Sequence, residues 1–436
     1  MKRDCIQKSG SWRLGMVLAG AALGFAMTGC GGNSSSSSST STAGQAIQYF
    51  GTQNPDQSSQ GGFPIGGVWS ITLDTQNSFF SYSNIESSDN RSVFSSSGSI
   101  AASKSGILDL TLSGGAAGSG GYAVHIPGEG LLLRAGDNHK LVVGATVSNA
   151  CPSLTSQKTF NFVSLASSDS RDLTPHVAYG SIQINPGTAG TWSFSNLNMY
   201  LLDGGSLSPT PFPDGSCAST KEGFVIAVPL SGVAQQTTPS QITVGISPSG
   251  LLVIDQGQNS GWAARNPTGP TGPLGLLGVI QPTAALNVAD LVTKSYAGFE
   301  TEAYGPLGTI AVAFGATPGT STSITGGGFP NDDITQLPAA DTTVDLGSQS
   351  SQTPGLFTSV TLTRPDSFGL CAGTASGGTD AKGNATCVFH GAAVVGQVAG
   401  KYVIFANIVD PTLAAIQIGD FATTPLTVLN LLLYQQ

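Results

Sequence analysis

Val68-Trp69-Ser70-Ile71-Thr72-Leu73 is the stretch whose reading decides the fold. Apolar and polar residues alternate with a period of two, the spacing that puts successive side chains on opposite faces of a β-strand. The pattern recurs at Ile107-Leu108-Asp109-Leu110-Thr111-Leu112 and Ile182-Gln183-Ile184. Short apolar runs follow the same punctuation, among them Leu141–Val147, Phe224–Val228, Leu251–Ile254, Thr309–Phe314 and Tyr402–Ala406. Each is bounded by Gly, Pro, Asn, Asp or Ser, the residues that turn a chain between strands. Only a short turn near Leu286–Leu291 has a helical look. Roughly twenty strands and no capped amphipathic helix predict an all-β protein.

The expected architecture is two antiparallel β domains, barrel-like or sandwich meanders. A β-propeller is the alternative, but no blade-length repeat supports it. The boundaries expected are a signal peptide at 1–29, a tether at 30–62, an N-terminal all-β domain at 63–262, a Pro/Gly-rich linker at 263–285 and a C-terminal all-β domain at 286–436. A membrane-spanning barrel is argued against by the missing aromatic girdles and by the Gln435-Gln436 ending.

Composition narrows the functional classes. Charged residues are 9% of the 436, far below the ~25% of an average soluble domain. The formal net charge of −9 excludes a basic nucleic-acid-binding surface. Gly and Pro are frequent, but hydrophobic residues at 39% suffice for a real core.

The N-terminus carries an address. Lys2, Arg3, Lys8 and Arg13 precede an uncharged apolar run from Leu14 to Met27, the plan of a secretory signal. Met27-Thr28-Gly29-Cys30 resembles the lipobox of bacterial lipoproteins, with Met27 in place of the usual Leu. That resemblance implies cleavage before Cys30, lipid on its thiol and acylation of its new amine. Gly31, where inner-membrane lipoproteins carry Asp, implies an outer-membrane destination in a Gram-negative envelope. Removal of residues 1–29 leaves a net charge of −12, so membrane attachment is expected from the lipid and not from a basic face. Ser34–Ser39 is an unbroken serine run, too polar to fold, and begins the tether. Ile47-Gln48-Tyr49-Phe50 interrupts it, either as part of the tether or as a first strand.

Four cysteines remain after Cys5 and Cys30 are set aside: Cys151, Cys217, Cys371 and Cys387. An even number in an exported chain favours disulfides. Cys371 and Cys387 bracket a Gly/Ser/Thr-rich stretch shaped like a hairpin tip, which favours their pairing and leaves Cys151 with Cys217. No CxxC or Cys/His spacing suggests a metal.

Chemistry-bearing motifs are sparse. No G-x-S-x-G, H-E-x-x-H or P-loop occurs. His176 with Asp172 could join a serine in a triad only by assembly from distant parts. Asp332 and Asp333, in a loop, form a weak Ca²⁺ candidate or a carboxylate pair for polymer hydrolysis. Glu300 and Glu302 share one strand face, as a lumen-facing acid pair or an exposed one. No cofactor is expected.

Gly67-Val-Trp69 and Gly190-Thr-Trp192 resemble the G-x-W signature of the calycin barrels, over three residues each. The whole chain resembles Gly/Ser-rich proteobacterial lipoproteins with an uncharacterised domain. The resemblance rests on Met27–Cys30, the serine tether, Ser295–Phe299, Lys401–Phe405 and Leu431–Gln436, and it implies no activity. The expected protein is a lipid-anchored envelope protein that binds a ligand, a glycan or an envelope partner and is not an enzyme. A hydrolase using loop carboxylates is the alternative.

Overall fold

The structure is a computed structural model. It describes residues 46–53, 67–87, 95–102, 105–136, 140–146, 156–165, 178–186, 191–201, 206–207, 215–219, 224–228, 240–256, 274–302, 309–320, 322–365, 376–379, 383, 385–409 and 428–436. The signal, Cys30 and the serine run lie outside the described residues.

The described body is all-β and antiparallel, as the alternation predicts. Eight strands follow one another around a closed barrel: β1 (Ile47–Gln53), β2 (Gly67–Asp74), β3 (Phe79–Ser87), β4 (Ser95–Ala102), β5 (Leu108–Leu112), β6 (Gly121–Ile126), β7 (Gly130–Ala135) and β8 (Lys140–Thr146). Pairing of β1 with β8 closes it, Phe50 standing opposite Ala145. Ile47–Phe50 is therefore strand and not tether.

A second sheet is built from β9 (Lys158–Leu165), β10 (Ala178–Pro186), β11 (Thr191–Leu201), β12 (Ser206–Leu207), β13 (Gly215–Ser219), β14 (Phe224–Val228), β15 (Ser240–Ile246), β16 (Leu251–Gln256) and β17 (Leu274–Ile280). Its order is β10-β9-β17-β16-β15-β14-β13-β11-β12, and β10 also pairs with β11, which closes the ring. The stretch 63–262 thus holds strands of two sheets. β17 lies inside the stretch 263–285 that composition marks as a linker. Its sequence, LGLLGVI, does not alternate because both its faces are covered, Leu276 and Leu277 alike being buried.

After the single-turn helix α1 (Val288–Leu291), capped by the Asn287 side chain, come β18 (Tyr296–Glu302), β19 (Thr309–Thr320), β20 (Ser323–Gly328), β21 (Thr342–Asp345), β22 (Leu356–Pro365), β23 (Ser376–Thr379), β24 (Ala385–Val398), β25 (Lys401–Val409) and β26 (Val428–Gln435). Their order is β22-β21-β20-β19-β18-β26-β25-β24-β23, closed by pairing of β22 with β24. Closure removes the open edges that would invite aggregation. No propeller blade arrangement is present among the described strands.

Strand alternation divides the core into layers. The first barrel is filled by Tyr49, Trp69, Ile71, Phe80, Tyr82, Leu131 and Leu133, and the third by Tyr296, Phe314, Phe357, Leu362, Phe389 and Leu431. Eight strands leave an interior just wide enough for side chains to fill. A separate cluster joins outward residues of all three rings, including Phe50, Val124 and Leu132, Val163, Leu251 and Leu277, and Phe299, Phe405 and Tyr434. The rings approach closely enough there that a Cβ on Gly130 would strike both Leu251 and the Tyr434 hydroxyl.

Three polar ties pin this apolar junction. Glu129 accepts from the Ser249 amide (2.9 Å) and hydroxyl (2.8 Å), joining the first and second rings. Asn161 Nδ2 donates to the Pro354 carbonyl (2.7 Å). Asn407 Nδ2 donates to the carbonyls of Ser164 (2.7 Å) and Ala178 (3.3 Å), tying the third ring to the second.

Away from that junction the first barrel turns hydroxyls outward. Ser70 and Thr72 on β2, Ser81 and Ser83 on β3, and Ser97 and Ser99 on β4 are half-buried or exposed while their neighbours Ile71, Phe80 and Tyr82 point inward. This is the reverse of a lipid-spanning barrel, whose apolar band faces out.

Candidate functional site

Sequence-predicted residues fall in three groups. Cys30, Cys151, Cys371, Asp172 and His176 lie outside the described residues, and of Cys217 only the backbone, on β13, is described. Cys387 is buried on β24 and is disulfide-bonded. Asp332 sits in a short 3₁₀ turn whose side chain is outside the described set. Asp333 has its carboxylate occupied by its own loop: Oδ1 accepts from the Thr335 amide (3.0 Å) and hydroxyl (2.6 Å), and Oδ2 accepts from Gln336 Nε2 (3.0 Å). Those bonds, the Thr335 side chain foremost, hold its pKa below the usual carboxylate value. Asp345 likewise accepts from the Gly347 amide at 2.8 Å. Among the described residues no group of three or more His, Cys, Asp or Glu is placed to hold a metal ion.

Glu300 is the acid the strand pattern places best. Tyr296 on the same strand points into the third ring, and Glu300, four residues on, follows it inward. Its Oε1 meets Arg364 Nη1 on β22 at 2.6 Å, with the two side chains 5% and 15% exposed. The Arg364 guanidinium also lies over the Phe389 ring, 5.2 Å from its centre. A carboxylate satisfied by an arginine among apolar walls has the chemistry of a structural pair, since each charge compensates the other's desolvation.

The β10–β11 hairpin offers a different arrangement. Along β10, Ala178, Gly180, Ile182 and Ile184 are buried, while Tyr179, Ser181, Gln183 and Asn185 form the opposite face. In register across from them on β11 stand Tyr200 opposite Tyr179, Asn198 opposite Ser181 and Ser195 opposite Gln183. The register slips between Ser181 and Gln183, and Asn196 takes φ 47° within that irregularity. A bulge of this kind bends a strand and re-aims its side chains, and Asn is among the few residues that tolerate the left-handed region.

Hydrogen bonds fix the face. Asn185 Nδ2 donates to Ser195 Oγ (2.7 Å), and Ser195 Oγ donates to Gln183 Oε1 (2.9 Å). Asn196 Nδ2 donates to the same Gln183 oxygen (2.7 Å). Asn198 Nδ2 donates to Ser181 Oγ (3.4 Å). At one end the Tyr179 and Tyr200 rings stack with centres 5.6 Å apart and planes 29° apart. Tyr179 is held against the inter-ring core, and Tyr200 is 44% exposed. Burial, with Tyr200 nearby, raises the Tyr179 pKa, so its hydroxyl stays protonated.

Alternation marks Ile182-Gln183-Ile184 as a strand and says nothing of what its outward positions carry. The signal was available in composition. Tyr179-x-Ser181-x-Gln183-x-Asn185 and Asn196-x-Asn198-x-Tyr200 place amides and rings where other outward strand faces place Ser and Thr.

No family model matches the chain, and no curated protein matches it. A solved structure that resembles it is a point mutant of the vaccine antigen transferrin binding protein B from Haemophilus parasuis. It has 10% identity and a TM-score of 0.25, over 90% of this chain and 76% of that one.

Proposed function

We propose that the chain is a lipid-anchored cell-envelope protein, held in the outer membrane through Cys30, that works by binding a partner and not by catalysis. The observation that carries the binding half is the β10–β11 face: an exposed stacked tyrosine beside hydrogen-bonded amides and hydroxyls. Tyr, Ser and Asn are the residues that binding surfaces favour, because tyrosine gives large rigid contact area at low entropic cost and the small polar residues give adaptable hydrogen bonds. The anchoring half rests on the signal sequence, the cysteine that ends it and the serine-rich segment, which would hold the body clear of the headgroups. Cys371 and Cys387 are proposed to pair across a hairpin tip, and Cys151 with Cys217. The C-terminal limit at 286–436 is proposed as a unit that folds separately, whereas an N-terminal unit would need β1 and β17 in addition to 63–262, because its two rings contain them.

Site-specific photocrosslinking in intact envelopes tests the reading. A photoreactive phenylalanine at position 200 should give a discrete adduct, and the same group at Phe79, also exposed (43%) but on a serine face, should not. Equal yields at the two positions would contradict it. Palmitate labelling of the wild type and of Cys30→Ala tests the anchor, with label expected only in the wild type.

A further inference from the structure

We propose that the β10–β11 face binds an uncharged oligosaccharide, laid along the strands with a sugar ring against Tyr200. The proposal rests on the binding reading above and names its ligand class.

Charge is the first argument. Tyr179, Ser181, Gln183, Asn185, Ser195, Asn196, Asn198 and Tyr200 include no ionisable group near neutral pH. An ionic ligand would lose hydration there and meet no countercharge. Hydroxyls fit instead, because each both donates and accepts. Both lone pairs of Gln183 Oε1 are already used by Ser195 and Asn196, which leaves its Nε2 to donate outward. Asn196 and Asn198 spend their Nδ2 groups within the ladder, which leaves their Oδ1 atoms to accept. The face therefore presents donors and acceptors side by side, already oriented, so little ordering cost attends binding.

Shape is the second argument. From Tyr179 to Asn185 the strand runs about 20 Å. On its β9 side the face is walled: Asn161, opposite Ser181, is buried and donates across to Pro354 of the third ring. What remains is a stripe along the hairpin, suited to a linear polymer more than to a globular protein, whose footprint would be roughly 800 Å². The exposed ring of Tyr200, backed by Tyr179, supplies a flat platform. The electron-rich face of an aromatic ring attracts the C–H face of a sugar.

The test uses the full chain in detergent on an array of neutral α- and β-linked hexose oligomers printed beside sulfated and carboxylated glycans, with any binder titrated calorimetrically. Neutral oligomers should bind, and charged ones should not. Tyr200→Ala should weaken binding about tenfold or more, and Tyr200→Phe should retain most of it. A blank neutral set, a preference for charged glycans, or a Tyr200→Ala variant that binds as the wild type does would overturn the proposal. A protein adduct at position 200 together with a blank array would overturn the sugar and keep the binding reading. No adduct and a blank array would overturn both.

Discussion

Two outward faces, the paired stretch of β3–β4 (Phe79–Ser83 against Ser95–Ser99) and that of β10–β11, differ in kind although the outward residues named for each carry no charge. On β3–β4, Phe79, Ser81 and Ser83 stand opposite Ser99, Ser97 and Ser95. These are short hydroxyls in regular register, the cheapest way to wet a sheet. On β10–β11 the same positions carry amides joined across the strands, two stacked rings and a left-handed asparagine at a register slip. The first face needs only to be polar. The second holds its groups in fixed directions and tolerates backbone strain to do so, which is the mark of a site where geometry matters. On the proposed reading the low charge content of the chain has two meanings, solubility by serine and threonine in one place and recognition by asparagine, glutamine and tyrosine in another.

The comparison breaks if the charged pair inside the third ring carries binding. Glu300→Ala takes the carboxylate from the half-buried Arg364 and should cost about 2–3 kcal/mol in denaturant unfolding, below the cost of stranding a fully buried charge. Ligand affinity of the folded fraction should not change. A folded variant that no longer binds would move the site into the lumen.

Acid should separate stability from binding. His125, half-buried on β6, has its pKa lowered from 6.5 to about 4 by desolvation. The unfolded chain takes up that proton first, so the histidine costs nothing above pH 6.5. Its penalty grows as pH falls to about 4, where it levels off near 3 kcal/mol. His125→Leu should flatten that part of the stability profile. Binding at the charge-free face should be level between about pH 5 and 8, where tyrosine does not titrate, and a sigmoid in affinity there would contradict its neutrality.

Smaller effects sharpen the contrast between the faces. Asn196→Val puts a β-branched residue at φ 47° and should cost about 1–2 kcal/mol, whereas Ser97→Val on the first face should stay within about 0.5 kcal/mol. Gln183→Ala removes the acceptor shared by Ser195 and Asn196 and should cost about 1 kcal/mol. Ser81→Ala should be close to neutral. Equal costs at matched positions would erase the distinction.

Much of the fold was legible because alternation is a local property. Trp69, Ile71 and Leu73 point inward as their spacing requires, and the short turn before β18 falls where expected. β17 escaped because a strand buried on both faces does not alternate, and Pro/Gly punctuation around it suggested a linker. β1 stayed open because IQYFGTQ follows a low-complexity run. Ring closure was beyond reach, since pairing of β1 with β8, β10 with β11 and β22 with β24 depends on register between distant segments. Glu300 was placed on a strand face by period two, but Arg364 as its partner, 64 positions away, was not readable. The β10–β11 face was half-visible: the residues were in view, while their cross-strand bonds needed the register.

Hydroxyl-radical footprinting tests the central claim most directly, by comparing oxidation of Tyr200 and Phe79 in native envelopes and in the purified chain. Both side chains are similarly exposed in the isolated body, at 44% and 43%. The account predicts that the envelope protects Tyr200 severalfold and leaves Phe79 unchanged. Equal labelling of Tyr200 in the two preparations, or protection of Phe79 to the same degree, would contradict it.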